Sequence, residues 1–293
     1  MNTVQCIRLP DGRNLAYAEY GPPDGVPVFY FHGSPSSRLE PRVLGEEAIL
    51  RAGLHIFAPD RPGIGMSDFK PRRGFSDWAA DVAHLADSLG IERFALLGNS
   101  GGGAYVAACA ARIPERLTAA VVVSGAWRMD APVVAENLPF VNRAFWILAR
   151  RFPLGLRLLL STMRRPGNAS RDKELAKMRP HLPAADFAAI SEPGRLEALQ
   201  SAIQECLRRG TKGAALDIGL YVRPFDFSPS SIRFPLHLFH GAEDRNVPLA
   251  LVRSAIRDIP SAILTEFPGD AHLSSFCHHF DEIALALNRG QKS

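Results

Sequence analysis

Short apolar runs and longer amphipathic stretches alternate along most of this chain, and the two periods identify the elements. Cys6 to Leu9 and Leu15 to Tyr20 flank the turn Pro10-Asp11-Gly12, whose Asp and Gly tolerate the positive φ of tight turns, so they are expected to form a β-hairpin. Strands are predicted at Val28–Phe31, Leu54–Ala58, Phe94–Leu97 and Ala119–Val123, with helices near 40–52, 75–89 and 102–112 between them. The pattern resumes at Leu236–Phe239, followed by a helix near 249–259, a strand at Ile263–Phe267 and a last helix near 276–287. Strands that alternate with helices imply an α/β fold with a mostly parallel sheet, eight-stranded when the hairpin is included, covered by helices on both faces.

One stretch breaks the alternation. From 125 to 233 the chain reads as helix and loop, punctuated by Pro139, Pro153, Pro166, Pro180, Pro183 and Pro193. The expected organisation is a core of residues 1–124 and 234–293, with a helical cap, or lid, inserted after the sixth strand. That insertion point puts the cap over the carboxyl ends of the strands, where open α/β sheets bind ligands.

Composition narrows the class. At 293 residues, 46% apolar and 22% charged, the chain has enough material for a large buried core and reads as a soluble globule. No uninterrupted apolar span is present: Phe145–Leu160 contains three arginines, Pro153 and Gly155, which argues against stable membrane insertion. Cys6, Cys109, Cys206 and Cys277 form no C-x-x-C pair and are expected as reduced, mostly buried thiols of a cytoplasmic protein. Despite a pI near 9.0, no aromatic-interleaved basic stripe points to nucleic acid. The histidines, including His278 and His279 at the start of the last predicted helix, show no metal-ligand spacing, and no metal or cofactor is implied.

The chemistry concentrates in Gly98-Asn99-Ser100-Gly101-Gly102, where an apolar run passes into a helical pattern. A turn this tight strains the central residue, exposes its hydroxyl and leaves no room for flanking side chains. It also sets Ser100 at a helix N-terminus, which favours developing negative charge. The plainer reading is a glycine-rich turn with a capping serine.

Together with Phe31-His32-Gly33-Ser34-Pro35, Asp60-Arg61-Pro62-Gly63-Ile64-Gly65-Met66-Ser67, His240-Gly241-Ala242-Glu243-Asp244 and Gly269-Asp270-Ala271-His272, this segment resembles the α/β-hydrolase superfamily. The resemblance covers the chain apart from the insertion. It implies a catalytic triad of Ser100, Asp244 and His272 in the chain order of that fold, with Glu243 the competitor for the acid and Asp270 too close in sequence to His272 to orient it. It also implies an oxyanion hole from the backbone N–H groups of Gly101 and Ser34, with His32 structural and 60–67 bracing the site.

The activity so implied is hydrolysis of a small or medium apolar carboxylic ester through an acyl-enzyme. A serine at 100 argues against the branches with an aspartate nucleophile. Carbon–carbon bond hydrolases and proline iminopeptidases resemble the core, but the former look like H-G-x-G-P-G where this chain has His32-Gly33-Ser34-Pro35-Ser36-Ser37 and like His-Trp where it has His272-Leu273, and the latter usually carry Trp where Gly101 stands. A non-catalytic receptor of hydrolase-like fold is the reading from another class. Finally, residues 128–233 hold 17 Lys and Arg against 10 Asp and Glu, interleaved with apolar side chains between Phe140 and Leu160. The expectation is an apolar channel lined by those side chains, its arginines either solvated or steering esters with an anionic distal end.

Overall fold

The computed structural model describes residues 4–164 and 169–289. Its sheet contains β1 (Gln5–Arg8), β2 (Asn14–Tyr20), β3 (Val26–Phe31), β4 (Leu54–Pro59), β5 (Phe94–Asn99), β6 (Leu117–Val123), β7 (Leu236–Gly241) and β8 (Ala262–Phe267), in the order β1-β2-β4-β3-β5-β6-β7-β8. The chain forms an eight-stranded sheet in which β2 pairs antiparallel with β1 and β4, and the remaining pairs are parallel. The hairpin of β1 and β2 closes over the Asp-Gly turn, where the Gly12 N–H donates to the Leu9 carbonyl.

Along β3 the alternation of side chains feeds two cores. Phe29 and Phe31 pack with α2 (Asp77–Ser88) and α3 (Gly102–Arg112) on one face, while Val28 and Tyr30 share the other with α1 (Glu46–Ala52) and the helix at Phe280–Arg289. β5 is buried along its whole length, as a central parallel strand covered on both faces must be. Between β6 and β7 lie α4 (Pro132–Asn137), α5 (Phe140–Arg151), α6 (Pro153–Thr162), α7 (Arg171–Met178), α8 (Ala184–Ser191), α9 (Arg195–Cys206) and α10 (Lys212–Leu220). After β7 come α11 (Leu249–Ile256), α12 (Ser274–His278) and α13 (Phe280–Arg289).

Three expectations need correction. The helix expected at 40–52 is a 3₁₀ turn at Glu40–Val43 and then α1, separated at Gly45, whose φ of +83° no helix accommodates. The last helix is two: α12 ends at His278 and α13 begins at Phe280, so His278 and His279 mark a break where both rings bind Asp270. Of the cysteines, Cys109 and Cys206 are buried, Cys277 is half-buried and Cys6 is exposed at the edge of the sheet. All four are free thiols.

Strand order reverses at β3 and β5: the chain from β3 leads to β4 on one side, and that from β5 to β6 on the other. The loops at their carboxyl ends therefore diverge and leave a crevice. His32–Ser34 follows β3, Ser100 follows β5, Asp244 follows β7 and His272 follows β8, so distant motifs converge on one end of the sheet.

Candidate active site

Between β5 and α3 the chain turns through Ser100 at φ +51°, a conformation that is uncommon for a residue with a β-carbon. Close packing imposes it. A β-carbon at Gly102 would lie 1.9 Å from the Phe31 carbonyl oxygen, and one at Gly98 would lie 2.7 Å from the Gly102 backbone and Val106. Only glycine admits so tight a crossing. The Ser100 N–H donates to the Val123 carbonyl at 2.9 Å, and its own carbonyl accepts from Gly103 and Ala126. The backbone is pinned and the hydroxyl is left at the cavity.

Asp244 is buried, whereas its neighbour Glu243 is exposed. One Asp244 carboxylate oxygen accepts the Asn246 and Val247 N–H groups at 2.7 and 2.9 Å, and the other lies 2.7 Å from His272 Nδ1. Burial alone would raise the Asp244 pKa, but the His272 ring and these donors hold it below the ordinary carboxylate value. His272 shows the reverse balance: burial opposes its charged form, yet Asp244 raises its pKa above that of a free imidazole. Asp270 binds His278 and His279 instead of His272. Ser124, also at positive φ, is fully buried and donates to the His272 carbonyl at 3.0 Å.

Ser100 and His272 line two cavities that meet at the serine. The larger, of about 650 Å³, is walled by Phe145, Trp146, Leu148 and Leu159 from the segment between β6 and β7, and by Tyr221. The smaller, about 200 Å³, runs beneath α7 and α8 past Met178, Leu182 and Ile190. Ser34 lines both, Gly101 lines the larger, and the backbone N–H groups of these two residues make no hydrogen bond among the described residues. Tyr221 donates its hydroxyl to the Gly101 carbonyl, which fixes that peptide.

The expected apolar channel is only partly present. Phe145, Trp146, Leu148 and Leu159 face the large cavity and Leu156 and Leu160 are buried, but Phe140, Ile147, Phe152, Leu154 and Leu158 are exposed to solvent. Among the described residues, no Lys or Arg lines either cavity.

The residues that hold this geometry were mostly hidden from sequence reasoning. Asp217, on α10, is fully buried beneath the His32–Ser34 loop and is bound by two arginines. Arg61 donates to it at 2.8 Å and Arg73 at 2.7 Å, while Tyr105 donates at 2.6 Å and the Ser34 hydroxyl at 2.6 Å. Arg61 also donates to the carbonyls of His32 and Gly33 and to the Ser34 hydroxyl. Burial would favour neutral Asp217, but the two guanidiniums outweigh it and its pKa falls well below the usual carboxylate range. His32 is buried with its Nδ1 at the Gly33 carbonyl, and burial beside Arg61 keeps the ring neutral, in keeping with a structural part. Glu40 accepts from the Gly33 N–H and from Asn99 Nδ2, tying the same loop to β5.

Another carboxylate, Asp186 on α8, accepts the backbone N–H groups of His272, Leu273 and Ser274 and so braces the histidine loop. A signal was available. Asp217 is the one charged residue between Lys212 and Arg223, and Asp186 the one between Arg179 and Glu192. A lone acid within an apolar helical stretch must find partners if it is buried.

This fold and serine elbow define a class, and residues 26–278 match the alpha/beta hydrolase fold family. The chain belongs to that family. Among curated relatives, a non-heme chloroperoxidase from Streptomyces lividans is 38% identical over 123 residues, covering 40% of this chain and 43% of the relative. A bifunctional esterase/perhydrolase from Acinetobacter calcoaceticus is 24% identical over 91% of this chain and 92% of its own. Among solved structures, a thermophilic esterase from Thermogutta terrifontis superposes with a TM-score of 0.68 at 21% identity, covering 99% and 98% of the two chains, a likeness of fold. No helix among the described residues is long and apolar enough to cross a membrane.

Proposed function

We propose that this chain is a serine hydrolase that cleaves small or medium apolar carboxylic esters, with residues 125–233 acting as the cap over its site. The observation that carries this reading is the 2.7 Å Asp244–His272 hydrogen bond at the wall of an apolar cavity that Ser100 also lines. In the proposed reaction His272 Nε2 takes the Ser100 proton as Oγ attacks the ester carbonyl. Asp244 holds the Nδ1–H tautomer and stabilises the imidazolium. The oxyanion of the tetrahedral intermediate is met by the N–H groups of Gly101 and Ser34, each such donor being worth on the order of 3 kcal/mol in the transition state. His272 returns the proton to the departing alkoxide, and water, activated by the same ring, then releases the acid from the acyl-serine.

The two cavities flanking Ser100 divide the substrate into a larger apolar half, in the 650 Å³ chamber, and a shorter half in the 200 Å³ one. Because no Lys or Arg among the described residues lines either chamber, an ester with an anionic distal end gains no cationic partner from them and loses hydration on entry. The test is turnover of matched p-nitrophenyl esters. Sustained hydrolysis is expected, with kcat/KM higher for a methyl-ended than for a carboxylate-ended acyl chain at every salt concentration. A single stoichiometric burst would make the protein a receptor, and a preference for the carboxylate that fades with salt would restore the steering role of the cap arginines.

The pH profile gives a second check. His272 must be neutral to accept the serine proton, and its pKa is raised, so kcat/KM should climb with pH through a midpoint above roughly 6.5 and then level off. Asp244→Asn removes the charge that raises the ring, so the midpoint should fall and turnover should drop about 10⁴-fold. A rate that stays flat between roughly pH 5 and 8 excludes a histidine base.

A further inference from the structure

The outward face of α5 and α6 differs from the rest of the surface. Phe140, Ala144, Ile147 and Arg151 recur at three- and four-residue spacing along α5, and Leu154, Arg157, Leu158 and Ser161 do so along α6, all exposed. Phe152, at the corner between the two helices, is 60% exposed, while Phe140, Leu154 and Leu158 reach 74%, 77% and 71%. The two helices pack closely, with the Gly155 backbone against Leu148, so the exposed residues of both belong to one region of the surface. Contiguous apolar area of this kind on a protein surface marks an interaction site.

Its charge selects the partner. From Asn137 to Arg171 the sequence contains seven arginines and no Asp or Glu. Arg151 and Arg157 are exposed and have no ion-pair partner among the described residues. A second copy of the same patch would set arginine against arginine, so self-association through it is disfavoured. Apolar side chains fringed by arginines, with no acid among them, match the boundary of an anionic lipid leaflet, where leucine and phenylalanine enter the acyl region and guanidiniums meet phosphates. The large cavity opens here: Val141 and Leu159 line it and are themselves exposed at the surface.

We propose that the α5–α6 face docks reversibly on anionic lipid surfaces, with the cavity mouth turned toward the bilayer. An apolar molecule could then pass from lipid to cavity without crossing water. Docking does not depend on hydrolysis, so it stands or falls separately from the esterase reading.

The experiment is flotation of the purified chain with vesicles of phosphatidylcholine alone or with roughly one-third phosphatidylglycerol. Binding to the anionic vesicles should be at least tenfold stronger and should weaken as salt rises. Phe152→Ser/Leu154→Ser/Leu158→Ser and Arg151→Glu/Arg157→Glu should each reduce it about tenfold or more, because they remove the apolar and the electrostatic contributions in turn. Turnover of a short, water-soluble ester should be unchanged in both variants, which verifies their fold, and Ser100→Ala should bind vesicles like the parent chain. Three results would each overturn the proposal: no binding to anionic vesicles at low salt, equal binding by both variants and parent, or a dimer in sedimentation that the serine variant dissolves while no vesicle binding is seen.

Discussion

Ser100→Ala should lower ester turnover by roughly 10⁴ to 10⁶-fold while the protein melts within about 3 °C of the parent. The size of the effect follows from the division of labour proposed for the site. Without the oxygen there is no acyl-enzyme, and what remains is the binding and polarisation that the cavity and the two N–H groups provide. Stability should be nearly untouched, because alanine keeps the β-carbon that already sits at φ +51°, and the backbone bonds to Val123, Gly103 and Ala126 do not involve the hydroxyl. The substitution neither relieves strain nor opens a void. A fluorophosphonate probe should label the parent chain at Ser100 and leave the variant unlabelled. Activity within tenfold of the parent, with contaminants excluded, or labelling at Ser34 or Ser124, would mean that the elbow serine is not the nucleophile.

Asp217→Ala should have the largest effect on stability, about 3–5 kcal/mol, or a drop in melting temperature of roughly 6–15 °C. Arg61 and Arg73 would remain buried with their carboxylate gone, and an uncompensated buried charge costs far more than the intact cluster contributes. The effect reaches the chemistry as well. Asp217 and Arg61 clamp the Ser34 hydroxyl, and Arg61 clamps the carbonyls of His32 and Gly33, so the loop that presents the Ser34 N–H should loosen and kcat should fall more than KM rises.

The pH dependence has a definite sign. The folded pKa of Asp217 is depressed, so its contribution is fully present above the unfolded value of about 3.9 and is lost progressively as pH falls toward the folded one. Chemical denaturation of parent and variant at neutral and acid pH measures both effects. A loss below about 1 kcal/mol at neutral pH would show that the cluster does not hold α10 to the core.

Asp217 also marks where sequence reading stops. The sheet was legible because its strands are written in period two or as fully apolar runs, and because each helix that covers it carries its own stripe. Ser100 was legible for another reason: Gly98 and Gly102 report a crossing so close that a β-carbon would strike the backbone of β3 or of the turn itself, and that demand leaves a glycine two residues either side of the serine. His272 and Asp244 came from the motif order of a resembling family, and the structure brings their side chains to 2.7 Å.

What remained hidden depends on residues far apart in the chain. The separations from Asp217 to Arg61 and to Arg73, 156 and 144 residues, leave no spacing to read. The same holds for Asp186 and the His272 loop, 86 residues apart. Nor could period or composition divide the apolar residues of α5 and α6 into those that line the cavity and those that face water, since both sets have the same chemistry and share one helical repeat. Sequence by itself determined the strands and most of the helices, because those follow from interactions within a few residues, and it marked the strained turn through the glycines that packing there requires. Only the tertiary structure decided which buried charges pair, how the His32–Ser34 loop is held and which apolar face is left uncovered, because those follow from the order of strands in the sheet and the way the segment between β6 and β7 packs over it.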